Sequence, residues 1–122
     1  MKRKPQELFR LAREALLRAG AHEKMAETAA QHLVRAEEQG LPTHGMSRVP
    51  FYCSMLRSGR ADGKARPTMA AEKAGVCLID NADGLPYESA AWAIEEVIQR
   101  ARRNGIGFAG IRNSAHVGVL GI

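Results

Sequence analysis

The chain has 122 residues, of which 45% are hydrophobic and 25% charged, a size that suits one globular domain and excludes a second full one. Its net charge of +5 is concentrated in residues 41–75, which hold six basic and two acidic side chains. Cys53 and Cys77 lack paired spacing, which is typical of reduced thiols in a cytoplasmic protein and not of a disulfide framework. The basic N-terminus has no uninterrupted apolar run, so neither a signal peptide nor a membrane span is expected.

Two amphipathic helices are predicted at the start of the chain. The first begins at Pro5 and ends at Gly20, and the second spans residues 23–38 with Gly40 as its stop. Small alanine faces bury little area, so we expect this helical hairpin to pack on the rest of the chain. The apolar face of the first helix consists of Leu8, Leu11, Ala12, Ala15 and Ala19.

A non-helical elbow is predicted at residues 41–45, because Pro42 disfavours the α conformation in the residue before it. Ser47 is expected to cap a third helix, which Gly59 ends. Residues 57–67 then form a basic loop that could contact phosphate or nucleic acid. The loop has no interleaved aromatic residues, which favours a solvated connection and makes a nucleic-acid partner unexpected.

The second half of the chain has a different pattern. Residues 68–73 and 76–80 are predicted to form a β-hairpin, residues 87–103 a long helix, and residues 106–112 a final strand. The long helix is expected to bury Ala90, Ala93, Ile94, Val97 and Ala101. This order predicts an α+β fold, with a helical segment at 1–67 and the start of an α/β unit with a mixed or antiparallel sheet at 68–122.

Residues 105–110 match the Gly-x-Gly-x-x-Gly pattern of dinucleotide-binding loops. That motif needs a strand before it and a helix after it, so that the helix N-terminus faces the pyrophosphate. In this sequence a predicted helix precedes residues 105–110 and the predicted strand follows the first glycine. We therefore interpret the glycines as a helix stop and a point of close backbone approach.

His44 and Arg48 are the first candidates for chemistry. His44 lies in the elbow, and Arg48, four residues later, could lie on the same side. An arginine can hold a carboxylate while a histidine exchanges a proton with a carbonyl or hydroxyl oxygen, which suits the interconversion of 2-oxo and 2-hydroxy acids. The alternative is a histidine that only stabilises the turn.

His116 is the second candidate, because it follows the last predicted strand, and the end of a strand is a frequent ligand site. Asn113 and Ser114 supply nearby hydrogen-bonding groups, and Gly118 permits close backbone approach. The alternative is a simple turn with an exposed histidine. His22 and His32 are predicted to be structural, and since the histidines lack ligand spacing no metal site is expected.

Taken in order, these segments resemble the malate/L-lactate dehydrogenase family, the non-Rossmann (type 2) NAD(P)-dependent oxidoreductases. The resemblance rests on AEEQGLPTHGMSRVPFYCSMLRSG at 36–59, VCLIDNADGL at 76–85 and GIGFAGIRNSAHVG at 105–118. It implies part of that family's fold, hydride transfer between NAD or NADP and a small 2-hydroxy or 2-oxo acid, a small anionic substrate, and a homodimer when full length.

The resemblance also implies roles for individual residues. The family's Ser-His-Gly pattern, followed by Arg, places its proposed proton donor at His44 and its arginine at Arg48, with Thr43 in the serine position beside the substrate. Its Asn-Ser-x-His-x-Gly motif corresponds to Asn113, Ser114, His116 and Gly118. In the family these residues lie near the substrate and the nicotinamide, so His116 is also a catalytic candidate, and His116 and Gly118 are cofactor-binding candidates.

Two features separate this chain from the family pattern. Pro86 and Tyr87 replace the usual glycine-rich continuation after Gly84 and Leu85. The chain also corresponds to roughly the first third of a family member, and most dinucleotide-binding residues are expected beyond Ile122. We therefore expect the 122 residues alone to have little or no reductase activity. The alternative is an inactive module that acts by binding protein or nucleic acid.

Overall fold

A computed structural model of the chain describes residues 2–118, so the last four residues of the predicted 68–122 unit, including Ile122, lie outside the described part. Within that part, the predicted α+β fold is confirmed. Four α-helices and three strands follow one another as α1 Pro5–Arg18, α2 Glu23–Glu38, α3 Val49–Arg57, β1 Thr68–Lys73, β2 Val76–Asp80, α4 Tyr87–Asn104 and β3 Phe108–Arg112.

The sheet is mixed, with strand order β1-β2-β3. β1 and β2 form the predicted antiparallel hairpin, in which Thr68 lies opposite Asp80. β2 and β3 are parallel, which requires a crossover connection, and α4 provides it. Arg100, only 8% exposed on α4, donates a 2.9 Å hydrogen bond to the carbonyl oxygen of Ala74 in the hairpin turn, so the helix holds the turn as well as the sheet.

The main core lies between the three N-terminal helices and the start of α4. Alanine faces let α1 and α2 approach closely, and fully buried Leu16 and Leu33 add apolar volume between them. Burying one such leucine contributes about 1.5–3 kcal/mol. The pair packs on α3, Leu85 and Tyr87, as expected for helices whose own faces are too small to be stable alone.

Two residues predicted to face inward do not. Leu11 is 40% exposed, because α1 turns Ala12 and Leu16 towards the core instead. Ile94 is 60% exposed, because its neighbour Ala93 occupies the buried side of α4 and successive helical residues point about 100° apart. The prediction for α4 is therefore wrong at Ile94, whereas Ala93 is buried as predicted.

Two predicted boundaries also differ. Ser47 does not cap α3: its hydroxyl donates to the carbonyl oxygen of Pro42 at 2.6 Å, residues 46–48 form a 3-10 turn, and α3 begins at Val49. The last strand begins at Phe108 and not at residue 106, because the chain at Gly107 is pressed against α4 and Ile106 is left 72% exposed.

Candidate active site

The elbow that carries His44 consists of two short 3-10 turns, residues 42–44 and 46–48, joined by buried Gly45. Glu37, near the end of α2, holds it: the carboxylate oxygen Oε1 accepts a 2.7 Å hydrogen bond from the backbone N–H of Met46. A Cβ on Gly45 would lie 2.6 Å from the same oxygen, so a side chain at this position would displace the Glu37 carboxylate. The role of Glu37 was not predicted from the sequence.

Thr43 connects the two candidate residues of the elbow. Its hydroxyl oxygen lies 3.0 Å from His44 Nδ1, and its carbonyl oxygen accepts a 2.8 Å hydrogen bond from Arg48 Nε. Arg48 Cζ also lies 5.8 Å from the centroid of the Phe51 ring, within the range of a cation–π contact. Both half-buried side chains are thus held on one side, while His44 Nε2 and the two terminal nitrogens of Arg48 stay outside these bonds.

His116 packs against α3 although 60 or more residues separate them in sequence. Its ring meets that of Phe51 edge-on, with centroids 5.7 Å apart and an interplanar angle of 85°. Its Nδ1 lies 3.4 Å from the hydroxyl oxygen of Tyr52, a long hydrogen bond. Phe51 therefore has Arg48 and His116 as neighbours, which places the second histidine motif beside the first.

Tyr52 and Tyr87 form a buried pair behind His116. Their hydroxyl oxygens are 2.6 Å apart, and the two residues are 0% and 4% exposed. Burial raises the pKa of both phenols above the ordinary value, and the hydrogen bond with Tyr87 opposes part of that rise at Tyr52. Both phenols are therefore neutral at physiological pH.

Sequence reasoning did not identify this tyrosine pair. For Tyr52 a signal was present, because it follows Arg48 by four residues and such residues share one face of a helix. The contact with Tyr87 spans 35 positions and depends on how α4 meets α3, so no local pattern could have shown it.

Asn113 and Ser114, in the loop after β3, use their side chains in hydrogen bonds to residues at the end of β2. Asn113 has a φ of +50° and donates to both carboxylate oxygens of Asp80 at 3.1 Å. The hydroxyl oxygen of Ser114 accepts a 3.3 Å hydrogen bond from buried Asn81. These contacts tie the loop to the end of β2, and among residues 2–118 they link neither side chain to the elbow.

The glycine motif at 105–110 and His22 have structural roles. A Cβ on Gly107 would lie 2.2 Å from the carbonyl oxygen of Val97, and Gly105 ends α4 with a φ of +81°, which confirms the interpretation of helix stop and close approach. His22 caps α2: its Nδ1 accepts from Met25 N at 3.3 Å, and its Nε2 lies 2.9 Å from Ala65 O.

Neither a metal centre nor a membrane span is visible in the described part. Among residues 2–118, no three His, Cys, Asp or Glu side chains are grouped so that they could hold a metal ion. In the same range, no helix combines the length and apolar character needed to cross a bilayer.

Gly118 brings the elbow and the His116 loop together. A Cβ there would lie 3.9 Å from the carbonyl oxygen of His44 and 3.1 Å from the hydroxyl oxygen of Tyr87. Residues 74 positions apart are therefore in near contact, beside the α3 residues that neighbour Arg48 and His116. The arrangement places a proton-exchanging group, a cation and a second imidazole around one exposed corner of the fold.

Comparisons with known proteins support a single family. The family model described as malate/L-lactate dehydrogenase matches residues 4–122. The (2R)-3-sulfolactate dehydrogenase (NADP(+)) of Chromohalobacter salexigens is 39% identical over 113 residues, which cover 91% of this chain and 33% of that protein. The malate dehydrogenase of Pyrococcus abyssi is 30% identical over 115 residues, 94% of this chain and 32% of that protein.

Solved structures have the same fold. A malate dehydrogenase from Pyrococcus horikoshii superposes with a TM-score of 0.90 at 28% identity, covering 98% of this chain and 34% of that one. A Δ1-piperideine-2-carboxylate reductase from Pseudomonas syringae also gives 0.90, at 30% identity, covering 97% and 36%. The chain therefore spans about a third of the length of the relatives it matches.

Proposed function

The chain belongs to the malate/L-lactate dehydrogenase family, and from that premise we propose that it forms the N-terminal portion of an NAD(P)-dependent oxidoreductase for small 2-hydroxy and 2-oxo acids. The observation that carries the proposal is the convergence of the His44 elbow and the His116 loop on α3. The relatives named for sulfolactate and malate support a small anionic substrate.

His44 is the proposed acid/base. Its Nδ1 lies beside the Thr43 hydroxyl, so Nε2 is the atom that gives a proton to the substrate oxygen in reduction and removes it in oxidation. Arg48 holds the carboxylate. The Nε bond to Thr43 fixes the plane of the guanidinium and leaves two terminal nitrogens for a two-point contact.

His116 is the proposed group that polarises the substrate carbonyl or contacts the nicotinamide, with Gly118 as a second cofactor contact. Thr43, Asn113 and Ser114 are the proposed substrate contacts. Thr43 is exposed at the elbow, whereas Asn113 and Ser114 would have to share the hydrogen bonds that tie them to Asp80 and Asn81.

The described residues fit only the nicotinamide end of such a cofactor. The exposed imidazole of His116 and the backbone of Gly118 lie at the surface corner where a flat ring can approach. The glycines of 105–110 do not fit the pyrophosphate, because the space beside Gly107 is filled by α4. When bound, NAD or NADP supplies or accepts the hydride, and the residues of this chain bind the acid and move the proton.

The proposal also covers the activity of the 122 residues alone, and the oligomeric state and location of the full-length enzyme. Hydride transfer requires the dinucleotide to be held as well as the acid, so we propose little or no turnover by the 122 residues alone. We further propose a homodimer in the full-length enzyme and a cytoplasmic location, which suits the two free thiols at Cys53 and Cys77.

Steady-state kinetics of the full-length protein with NADH or NADPH and a panel of 2-oxo acids test the function. We expect His44→Ala to lower kcat by about 10²–10⁴-fold, the usual contribution of a general acid. Arg48→Lys is expected to raise KM for the acid, and Arg60→Lys, an exposed loop substitution, serves as its matched control. Turnover by His44→Ala equal to that of the unsubstituted enzyme overturns the proposal.

A further inference from the structure

We propose that Tyr87 is a positioning residue for His116: acting through Tyr52, its hydroxyl group makes His116 Nδ1 a hydrogen-bond acceptor and leaves the proton on Nε2. This inference rests on the proposed role of His116. It gives a role to Tyr87, one of the two residues at which this chain differs from the family pattern.

The contacts form one continuous chain of hydrogen bonds. The backbone of Gly118 lies beside the Tyr87 hydroxyl oxygen, which lies 2.6 Å from that of Tyr52. The Tyr52 hydroxyl oxygen lies 3.4 Å from His116 Nδ1. The chain begins and ends in the same loop, so Tyr87 and Tyr52 connect the backbone of Gly118 to the ring of His116 through the core.

The direction of these bonds follows from counting protons. If Tyr87 donates to Tyr52 and Tyr52 donates to His116 Nδ1, every hydroxyl proton in the chain has an acceptor. In the reverse direction Tyr52 would donate to Tyr87, and the Tyr87 proton would lose the acceptor that the 2.6 Å contact supplies. A buried donor left without an acceptor is unfavourable, so the first direction is favoured.

The surroundings hold the two phenol rings, and so their hydroxyl oxygens, in place. Both tyrosines are buried and neutral, and the rings meet edge-on at 86° with centroids 5.7 Å apart, which restricts rotation of the rings. Tyr87 also packs against the ring of His32 at 4.7 Å. Phe51 meets the His116 ring edge-on.

The consequence concerns the exposed edge of His116. With Nδ1 accepting, the neutral imidazole carries its proton on Nε2, where it can donate to a substrate carbonyl oxygen. Without Tyr87, the Tyr52 oxygen is free to accept a proton from Nδ1, and the opposite tautomer becomes available. Tyr87 therefore selects which ring nitrogen is the donor.

The test is ¹⁵N NMR of His116 in the 122-residue chain, recorded over a pH series so that the neutral ring is compared in each variant. We expect the Nδ1 and Nε2 shifts of the unsubstituted chain to report the Nε2–H tautomer. In Tyr87→Phe the two shifts should move towards each other as the second tautomer appears. Ser89→Ala removes another buried hydroxyl, bonded to Pro86, from the same helix, and should leave the shifts unchanged.

Identical His116 shifts in Tyr87→Phe and the unsubstituted chain overturn the inference. If Tyr87→Phe does not fold, replacement of the two tyrosines by 3-fluorotyrosine keeps the ring shape and strengthens hydroxyl donation. It should then move the Nδ1 shift, and an unmoved shift overturns the inference equally.

Kinetics of the full-length enzyme separate this inference from the proposed function. Tyr87→Phe should lower kcat several-fold with little change in KM, because Arg48 still binds the acid. If His44→Ala does not alter turnover while the ¹⁵N shifts move, the proposed function fails and the positioning role stands. If His44→Ala abolishes turnover while Tyr87→Phe changes neither kcat nor the shifts, the positioning role fails alone.

Discussion

Asp80 holds the loop that carries His116. This residue ends β2, and its carboxylate accepts hydrogen bonds from the backbone of Ala82, the amide of Asn113 and the guanidinium of Arg112. These donors, in that order, hold the pKa of Asp80 below its ordinary range. The two hydrogen bonds from its amide to Asp80 help Asn113 to keep a φ of +50°, which is uncommon outside glycine.

Acid should therefore loosen this loop. Because the pKa of Asp80 is lower in the folded than in the unfolded state, its stabilisation is present above about pH 4 and is lost as pH falls through the folded value. We expect Asp80→Asn to reduce Tm at neutral pH and to flatten the fall of Tm below about pH 4. Thermal unfolding followed by circular dichroism over that range measures it.

Glu95→Gln provides the control for the acid effect, since it removes an exposed carboxylate on α4 and leaves the loop alone. If Tm falls equally steeply below about pH 4 in Asp80→Asn and in the unsubstituted chain, Asp80 is not the group that causes the acid effect.

Close backbone contact between α4 and β3 sets the position of the whole C-terminal half. Gly107 enters β3 directly beneath α4, where a Cβ would meet the carbonyl oxygen of Val97 and the backbone nitrogen of Ala101, at 2.2 and 3.1 Å. Both atoms belong to a regular helix and cannot rotate away as a side chain would. The crossover from β2 to β3 is thus fixed at a point where only glycine fits.

Gly107→Ala is expected to lower the free energy of unfolding by about 2 kcal/mol or more, since α4 and β3 must separate to admit the methyl group. Gly105→Asn is the matched control two residues earlier: its position has open space, and asparagine tolerates the left-handed conformation of a helix end. Urea denaturation compares the two. An equal loss of unfolding free energy in both variants would show that the backbone conformation of glycine, and not the close approach of α4 and β3, decides the effect.

Elements with local signals were predictable, and contacts between elements were not. The hairpin at 68–73 and 76–80 was correct in both strands because turn residues and strand composition are local properties. The positive φ of Gly40 and Gly105 marks helix ends that sequence rules identify. The inward prediction for Ile94 failed because the buried side of α4 depends on how the helix rests on the sheet, which periodicity alone leaves open.

The same distinction applies to the candidate site. His44, Arg48 and His116 were found through motifs, because polar residues at an elbow and after a strand stand out locally. Tyr52 and Tyr87 fit apolar helix faces equally well, and their shared hydrogen bond arises only when α3 and α4 pack together. Glu37 was missed for the same reason, since its acceptor role depends on the elbow folding back over α2.

The described residues form one corner of the proposed catalytic site and do not enclose it. Relatives that this chain matches are about three times as long, and the chain covers 33% of the sulfolactate dehydrogenase. His44, Arg48 and His116 face outward from α3 and its neighbouring loops. A site open on that side binds an acid weakly and exposes it to water, since small-molecule sites normally enclose most of the ligand.

Activity should consequently depend on more chain than these 122 residues. We expect the purified chain, given NADH or NADPH and 2-oxo acids, to oxidise the cofactor no faster than a sample without protein, as followed at 340 nm. The reason is geometric: Gly107, in the glycine motif at 105–110, is packed against α4 and leaves no room there for a pyrophosphate, and an acid/base without a positioned hydride donor gains little rate. The full-length protein under identical conditions is the positive control. Sustained cofactor oxidation by the 122-residue chain, lost in His44→Ala, would show instead that this corner alone assembles a working site.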